Sequence, residues 1–185
     1  MRRAVFLDRD GVLNRAVVRD GRPYPPATAA AVEIAPDARV ALATLKAAGF
    51  VLIVVSNQPD VARGTSTPAA VEEINAVLGA VLPVDRFIMC YHDDAEGCRC
   101  RKPRPGMLLD GAAQFNVDVS RSYMIGDRWR DVEAGVAAGC ATIFLDFGYD
   151  ERQPTAMTHR VRTLAEAVEI ILHGAEPSLP SQDRT

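Results

Sequence analysis

Short runs of apolar residues, each followed by a stretch with helical spacing, are what constrain this chain most. They lie at residues 4–7 (Ala-Val-Phe-Leu), 50–55 (Phe-Val-Leu-Ile-Val-Val), 86–90, 122–125 and 141–145. Runs this short and this continuously apolar suit strands covered on both faces, as in a parallel sheet; a strand with one wet face would alternate. The spacing predicts helices over 37–48, 68–82, 105–115, 129–138 and 163–173. Pro36 opens the first and Gly49 stops it, Thr67 caps the second with Pro68 in its first turn, and Gly139 stops the fourth. Repeated strand–helix order with right-handed crossovers implies an α/β fold, a doubly wound (Rossmann-like) parallel sheet with helices on both faces. Residues 15–35 and 146–160 read as loops, 1–173 as one domain, and 174–185 as a flexible tail.

Charge and hydropathy exclude several function classes. Lys and Arg number 21 against 24 Asp and Glu, so a wide basic surface for nucleic acid is not expected. No apolar run approaches the roughly 20 residues of a membrane span. The apolar stretch after Arg2-Arg3 ends at Asp8, too soon for a signal peptide. A cytoplasmic monomer is expected.

In open parallel sheets, ligands sit at the carboxyl ends of the strands. Here those ends read Asp8-Arg9-Asp10-Gly11, Ser56-Asn57-Gln58 and Gly126-Asp127, with Asp131 one turn further on and Lys102 in the loop after the third strand. Each alone is an ordinary turn, cap or surface charge. Together they place carboxylates, a hydroxyl, an amide and an ammonium at one edge. Converging carboxylates call for a hard cation, and Mg²⁺ prefers oxygen ligands. With Mg²⁺ on Asp8 and Asp127, a carboxylate would attack phosphorus and a second carboxyl group would protonate the leaving oxygen and then activate water. Ser56, Asn57 and Lys102 would bind the phosphoryl oxygens. Gly11 would relieve crowding at the turn.

Four segments resemble the motifs of the haloacid dehalogenase (HAD) superfamily of phosphatases, in the family's order, from residue 6 to residue 131. Phe6-Leu7-Asp8-Arg9-Asp10-Gly11-Val12-Leu13-Asn14 resembles the first and Ser56-Asn57-Gln58 the second. Lys102, within Cys100-Arg101-Lys102-Pro103-Arg104-Pro105-Gly106-Met107, resembles the third, and Gly126-Asp127-Arg128-Trp129-Arg130-Asp131 the fourth. The resemblance implies that Asp8 is the nucleophile and Asp10 the acid/base. It implies Mg²⁺ ligation by Asp8, the Asp10 backbone carbonyl and Asp127, with Asp131 in support.

Cys90, His92, Cys98 and Cys100 supply three thiols and an imidazole within eleven residues, a complete tetrahedral set for a structural Zn²⁺. With no open position, this zinc would staple the loop that presents Arg101 and Lys102. Cys140 reads as a buried small apolar residue, and His159 and His173 as ordinary surface positions.

A zinc loop between the second and third motifs is similar to that of one subgroup, the heptose bisphosphate 7-phosphatases and the histidinol-phosphate phosphatases. Pro59-Asp60 stands where the heptose enzymes usually carry Ser-Gly, and Arg128 where lysine is common. The stretch after Asn14 is too short for a separate cap domain, so loops 15–26, 58–67 and 91–104 would shape access to the site. Arg63 and Arg101 would meet a second phosphate on a sugar bisphosphate, with Arg128 beside the substrate; Arg99 and Arg104 read as surface charge. The expected partner is a small phosphorylated sugar. Histidinol phosphate is the rival substrate, and a basic cluster would argue against that cation. A receiver domain fails because its phosphorylated aspartate belongs after the third strand, where this chain has cysteines. A non-catalytic zinc module finds no support, since every motif residue is present.

Overall fold

The computed structural model describes residues 1–174. Six parallel strands form the central sheet: β1 (Ala4–Leu7), β4 (Val51–Asn57), β5 (Arg86–Cys90), β6 (Tyr123–Gly126), β7 (Ala141–Leu145) and β8 (His159–Val161). Between β1 and β4 the chain forms an antiparallel hairpin, β2 (Val17–Arg19) and β3 (Arg22–Tyr24). Five helices complete the fold: α1 (Ala38–Ala47), α2 (Pro68–Gly79), α3 (Gly106–Phe115), α4 (Trp129–Ala138) and α5 (Leu164–His173). The sheet order is β5-β4-β1-β6-β7-β8. From β1 the chain builds outwards through β4 and β5, then returns to β1's other side for β6. That reversal makes a topological switch point, and both Asp8 and Asp127 stand at its carboxyl edge.

Side-chain alternation along each strand divides the core into two layers. Val5, Leu7, Leu52, Val54, Ile125 and Ile143 face α1, α2 and α5. Ala4, Phe6, Val51, Ile53, Val55 and Met124 face α3 and α4. Both faces of β1, β4, β6 and β7 are therefore dry, which is why these strands read as unbroken apolar runs.

Two stretches expected to be loops are partly strand. Within 15–35 the Asp20-Gly21 pair turns the β2–β3 hairpin, with both residues at positive φ (49° and 72°). Asp-Gly is a strong two-residue hairpin signal, and it was concealed by strands of only three residues. Within 146–160, His159 and Arg160 begin β8, which pairs with β7 at the sheet's edge. Its short, mostly exposed sequence shows no apolar run. The second helix stops at Gly79 rather than residue 82. Of the tail expected over 174–185, all but Gly174 lies outside the described residues.

Candidate active site

The backbone N–H of Asp8 donates to the Ile125 carbonyl at 2.9 Å, which fixes the end of β1 against β6. Lys102 arrives from the loop after β5 and is almost wholly buried. Its Nζ donates to Asp8 Oδ1 at 2.8 Å, Asp131 Oδ1 at 2.6 Å and the Val55 carbonyl at 2.7 Å. Burial alone would lower the Lys102 pKa, but the Asp131 and Asp8 carboxylates reverse this and raise it. The ammonium therefore stays charged beside the nucleophile candidate.

Asp127, Asp8 and Asp131 bring carboxylate oxygens within 4.8 Å of one another, all buried. Burial and then repulsion from Asp8 and Asp131 hold the Asp127 pKa well above the usual carboxylate range, with Arg128 opposing in part. Burial pushes Asp131 up to about 6, with Lys102 pulling against it. Among the described residues, three buried side-chain polar atoms lack a hydrogen-bond partner: Asn14 Oδ1 and both carboxylate oxygens of Asp127. The Tyr149 hydroxyl lies against Asp127 without a bond of ordinary geometry. An unpartnered buried carboxylate flanked by two others is costly in a protein and natural for a hard-cation ligand, so the donor set fits Mg²⁺. Asp131 sits with the other two, and its Oδ2 also caps α4 by accepting from the Arg128 N–H at 3.0 Å. Gly11 turns the chain at φ 96°, and a Cβ there would lie 1.8 Å from Asp127 Oδ2.

Asp10 points to a different set of partners. Its carboxylate accepts from Gln58 Nε2 at 2.8 Å, Asn14 Nδ2 at 3.1 Å and Arg9 Nη2 at 3.0 Å. Gln58 Nε2 also donates to Ser56 Oγ at 3.0 Å, leaving the Ser56 hydroxyl hydrogen to donate elsewhere. Asn57 grips the backbone of Lys102, donating to its carbonyl and accepting from its N–H, both at 3.0 Å. Expected as a phosphate contact, Asn57 thus also holds the lysine loop in place.

The four zinc-loop side chains converge. Sγ of Cys100 lies 3.2 Å from that of Cys90, 3.4 Å from that of Cys98 and 3.3 Å from His92 Nδ1. Cys90 Sγ is 3.6 Å from His92 Nδ1 and 3.7 Å from Cys98 Sγ. One tetrahedral ion with bonds of about 2.0–2.3 Å would sit among them. Burial resists ionisation of Cys98, but the Arg101 backbone N–H and the neighbouring thiols bring it to about 7.

Asp8, Asp10, Ser56, Asn57, Lys102, Arg128 and Asp131 line a small pocket that opens beneath Pro23 and Tyr24 of the hairpin. Outside it lies a cleft of about 610 Å³ walled by β3, the loop after β4, the zinc loop and the start of α4. Six arginines (Arg22, Arg63, Arg101, Arg128, Arg130 and Arg152) and four acidic residues line it, and Arg63 and Arg152 also pair with Asp93 and Glu133 beside that lining.

A HAD-hydrolase-like family model matches residues 99–168. The D-glycero-β-D-manno-heptose-1,7-bisphosphate 7-phosphatase of Pseudomonas putida is 35% identical over 153 residues, covering 80% of this chain and 85% of that protein. The chain belongs to the HAD-like phosphatases. The enzyme of the same name from Escherichia coli K12 is 34% identical over 151 residues, covering 75% and 76% of the two chains. A crystal structure of D,D-heptose 1,7-bisphosphate phosphatase from Bordetella bronchiseptica, complexed with magnesium and phosphate, superposes with a TM-score of 0.77 at 30% identity, covering 94% of this chain and 99% of that one.

In this HAD phosphatase all the motif residues reach one edge. Arg101 and Arg63 face the outer cleft, tied to Asp94 (2.7 Å) and Asp93 (2.9 Å) of the zinc loop. Arg128 lies between pocket and cleft and pairs with Glu151. Arg99, paired with Asp110, and Arg104, donating to the Cys98 carbonyl, line neither cavity. Cys140 is buried, and burial pushes its thiol up to about 12. Sequence reasoning passed over Asn14 and Gln58 as partners of Asp10, and Arg22, Arg130 and Arg152 as cleft cations. Asn14 and Gln58 stood inside the quoted motifs; the arginines belong to a hairpin, a helix start and a loop that only folding brings together.

Proposed function

We propose that this phosphatase removes the 7-phosphate of D-glycero-D-manno-heptose 1,7-bisphosphate through an aspartyl phosphate on Asp8. The observation that carries the reading is a cation-ready carboxylate cluster opening directly into an arginine-lined cleft. Such a cleft offers guanidinium donors to a second phosphate, a group that histidinol phosphate lacks. The names of the relatives support the same substrate and its β anomer.

Asp8, Asp127 and Asp131, with the Asp10 backbone carbonyl, would hold Mg²⁺. When bound, the ion offsets the charge of the carboxylates and of the incoming phosphate. Asp8 attacks phosphorus, forming a carboxylate O–P bond as the bond to the sugar oxygen breaks. Asp10 gives its proton to that oxygen, then takes one from water as the water attacks the phosphoaspartate, releasing inorganic phosphate and restoring both groups. Ser56 donates to the phosphoryl oxygens as their charge redistributes, and the Lys102 ammonium, whose three N–H groups meet Asp8, Asp131 and the Val55 carbonyl, stabilises that charge through space. Arg63 and Arg101 would face the distal phosphate, with Arg128 beside the sugar. Zn²⁺ on Cys90, His92, Cys98 and Cys100 would keep the Arg101–Lys102 loop folded.

Phosphate release with Mg²⁺ from both heptose bisphosphate anomers, fructose 1,6-bisphosphate and histidinol phosphate tests the reading. The expected result is a kcat/KM for the β anomer at least about tenfold above the others, about 1.4 kcal/mol of transition-state preference. A preference for histidinol phosphate or fructose 1,6-bisphosphate would overturn the substrate, and full activity in Asp8→Asn would overturn the nucleophile.

A further inference from the structure

Arg9 is the largest side chain that the described residues bury completely, and the chemistry above leaves it without a role. A guanidinium persists in such a place only where its donors are met. Here they are met on two sides. Nε lies 3.2 and 3.3 Å from the two Asp10 oxygens, and Nη2 lies 3.0 Å from Oδ2, a fork across the carboxylate. On the other side Nη1 donates to Asn75 Oδ1 of α2 at 3.0 Å. Asn75 is itself buried, and its Nδ2 donates to Glu72 Oε2 at 3.3 Å. Glu72 Oε1 accepts from the Tyr91 hydroxyl at 2.7 Å. Tyr91 stands between Cys90 and His92.

We infer that Arg9 is a positioning residue for Asp10, and that Asn75, Glu72 and Tyr91 anchor it to the zinc loop through an unbroken chain of hydrogen bonds. Asn14 and Gln58 each touch one oxygen of Asp10, whereas Arg9 bridges both and so sets the rotation of the carboxyl group. That rotation decides whether the proton reaches the leaving oxygen as the P–O bond breaks. The zinc site then does more than fold a loop, since it sits at the far end of the assembly that orients the acid. This inference rests on the assignment of Asp8 as nucleophile and Asp10 as acid.

A positioning role differs from a merely structural one in its dependence on the leaving group. Phenyl phosphate needs protonation at the leaving oxygen far more than p-nitrophenyl phosphate does. Single-turnover release of the two phenols is measured for the zinc-loaded, Mg²⁺-supplemented wild type, Arg9→Lys and Asn75→Leu. A positioned general acid is worth about 10²–10⁴-fold, so Arg9→Lys is expected to lose on the order of 100-fold with phenyl phosphate and less than about fivefold with p-nitrophenyl phosphate. Asn75→Leu, which leaves the Asp10 contact in place, should lose about tenfold on phenyl phosphate in the same selective way. KM should move less than about threefold in both, as the lost interaction belongs to the transition state. Equal losses on the two esters, or no loss, in either variant overturns the inference. Should Arg9→Lys fail to fold, Asn75→Leu decides alone. Asp10→Asn serves as the separate check: if it loses equally on both esters, the acid assignment itself falls, whatever Arg9 does.

Discussion

Replacing Asp127 with asparagine should make the magnesium-free protein more stable while abolishing its catalysis. The Asp127 carboxylate is 2% exposed, has no hydrogen bond of ordinary geometry although the Tyr149 hydroxyl lies against it, and faces Asp8 and Asp131 within 4.8 Å. At that separation each like-charge pair costs about 3.5 kcal/mol gross if the effective dielectric constant is about 20. Proton uptake caps the penalty. A carboxyl group with an ordinary pKa near 3.9 can escape at pH 7 for about 4 kcal/mol, at about 1.4 kcal/mol per pH unit. Asparagine removes the charge and brings an amide that can donate to Asp8 or Asp131, but it remains a buried polar group. The net gain should be about 1–3 kcal/mol. At about 2–4 °C per kcal/mol for a chain of this size, Tm should rise by roughly 2–12 °C. The assay is thermal unfolding of zinc-loaded protein in magnesium-free buffer and again with millimolar Mg²⁺, without chelators that would strip the zinc. Wild type should gain stability from Mg²⁺, and Asp127→Asn should not. A lower Tm for the variant in magnesium-free buffer, or undiminished stabilisation by Mg²⁺, would refute the argument that this carboxylate exists to bind a cation.

Lys102→Met should act in the opposite sense. It leaves Asp8 and Asp131 without their shared counter-ion, costing about 3–5 kcal/mol in stability. It should also lower kcat/KM by about 10²–10³-fold, visible in melting curves and steady-state rates. Gly11→Ala should displace Asp127, since its Cβ would sit 1.8 Å from the carboxylate at φ 96°; a Tm and activity equal to wild type would show that the turn tolerates it. Metal analysis should find one zinc per chain in wild type and in Cys140→Ser, and none in Cys98→Ser, whose activity should fall as the Arg101–Lys102 loop loosens. Zinc retained by Cys98→Ser would disprove the four-ligand site.

Much of this was legible before folding because the relevant signals are local. A strand dry on both faces must be apolar throughout, so β1, β4, β6 and β7 show themselves as short runs. Ligand groups cluster where such strands end, so Asp8, Ser56, Asn57 and Asp127 could be marked from the chain alone. The Cys/His cluster was equally plain, because its four side chains lie within eleven residues. The β2–β3 hairpin and β8 were hidden for the converse reason. Their strands have three residues each and are largely exposed, so packing had written almost no pattern into them.

Other features come from contacts between segments far apart in the chain. Lys102 alone was an ordinary cation, and its burial between Asp8 and Asp131 depends on bringing together Lys102 and Asp8, 94 positions apart in the chain. The cleft's arginine lining depends on Arg22, Arg63, Arg101 and Arg130 meeting from four separate segments. Arg9 read as a spacer between two aspartates, and only the approach of α2 gave its guanidinium a second partner in Asn75. Residue type and spacing along the chain therefore sufficed for five of the six sheet strands and for the groups that gather at their carboxyl edge and in the Cys/His cluster. Electrostatic balance and side-chain orientation depend on three-dimensional neighbours, because desolvation and Coulomb energy act through space.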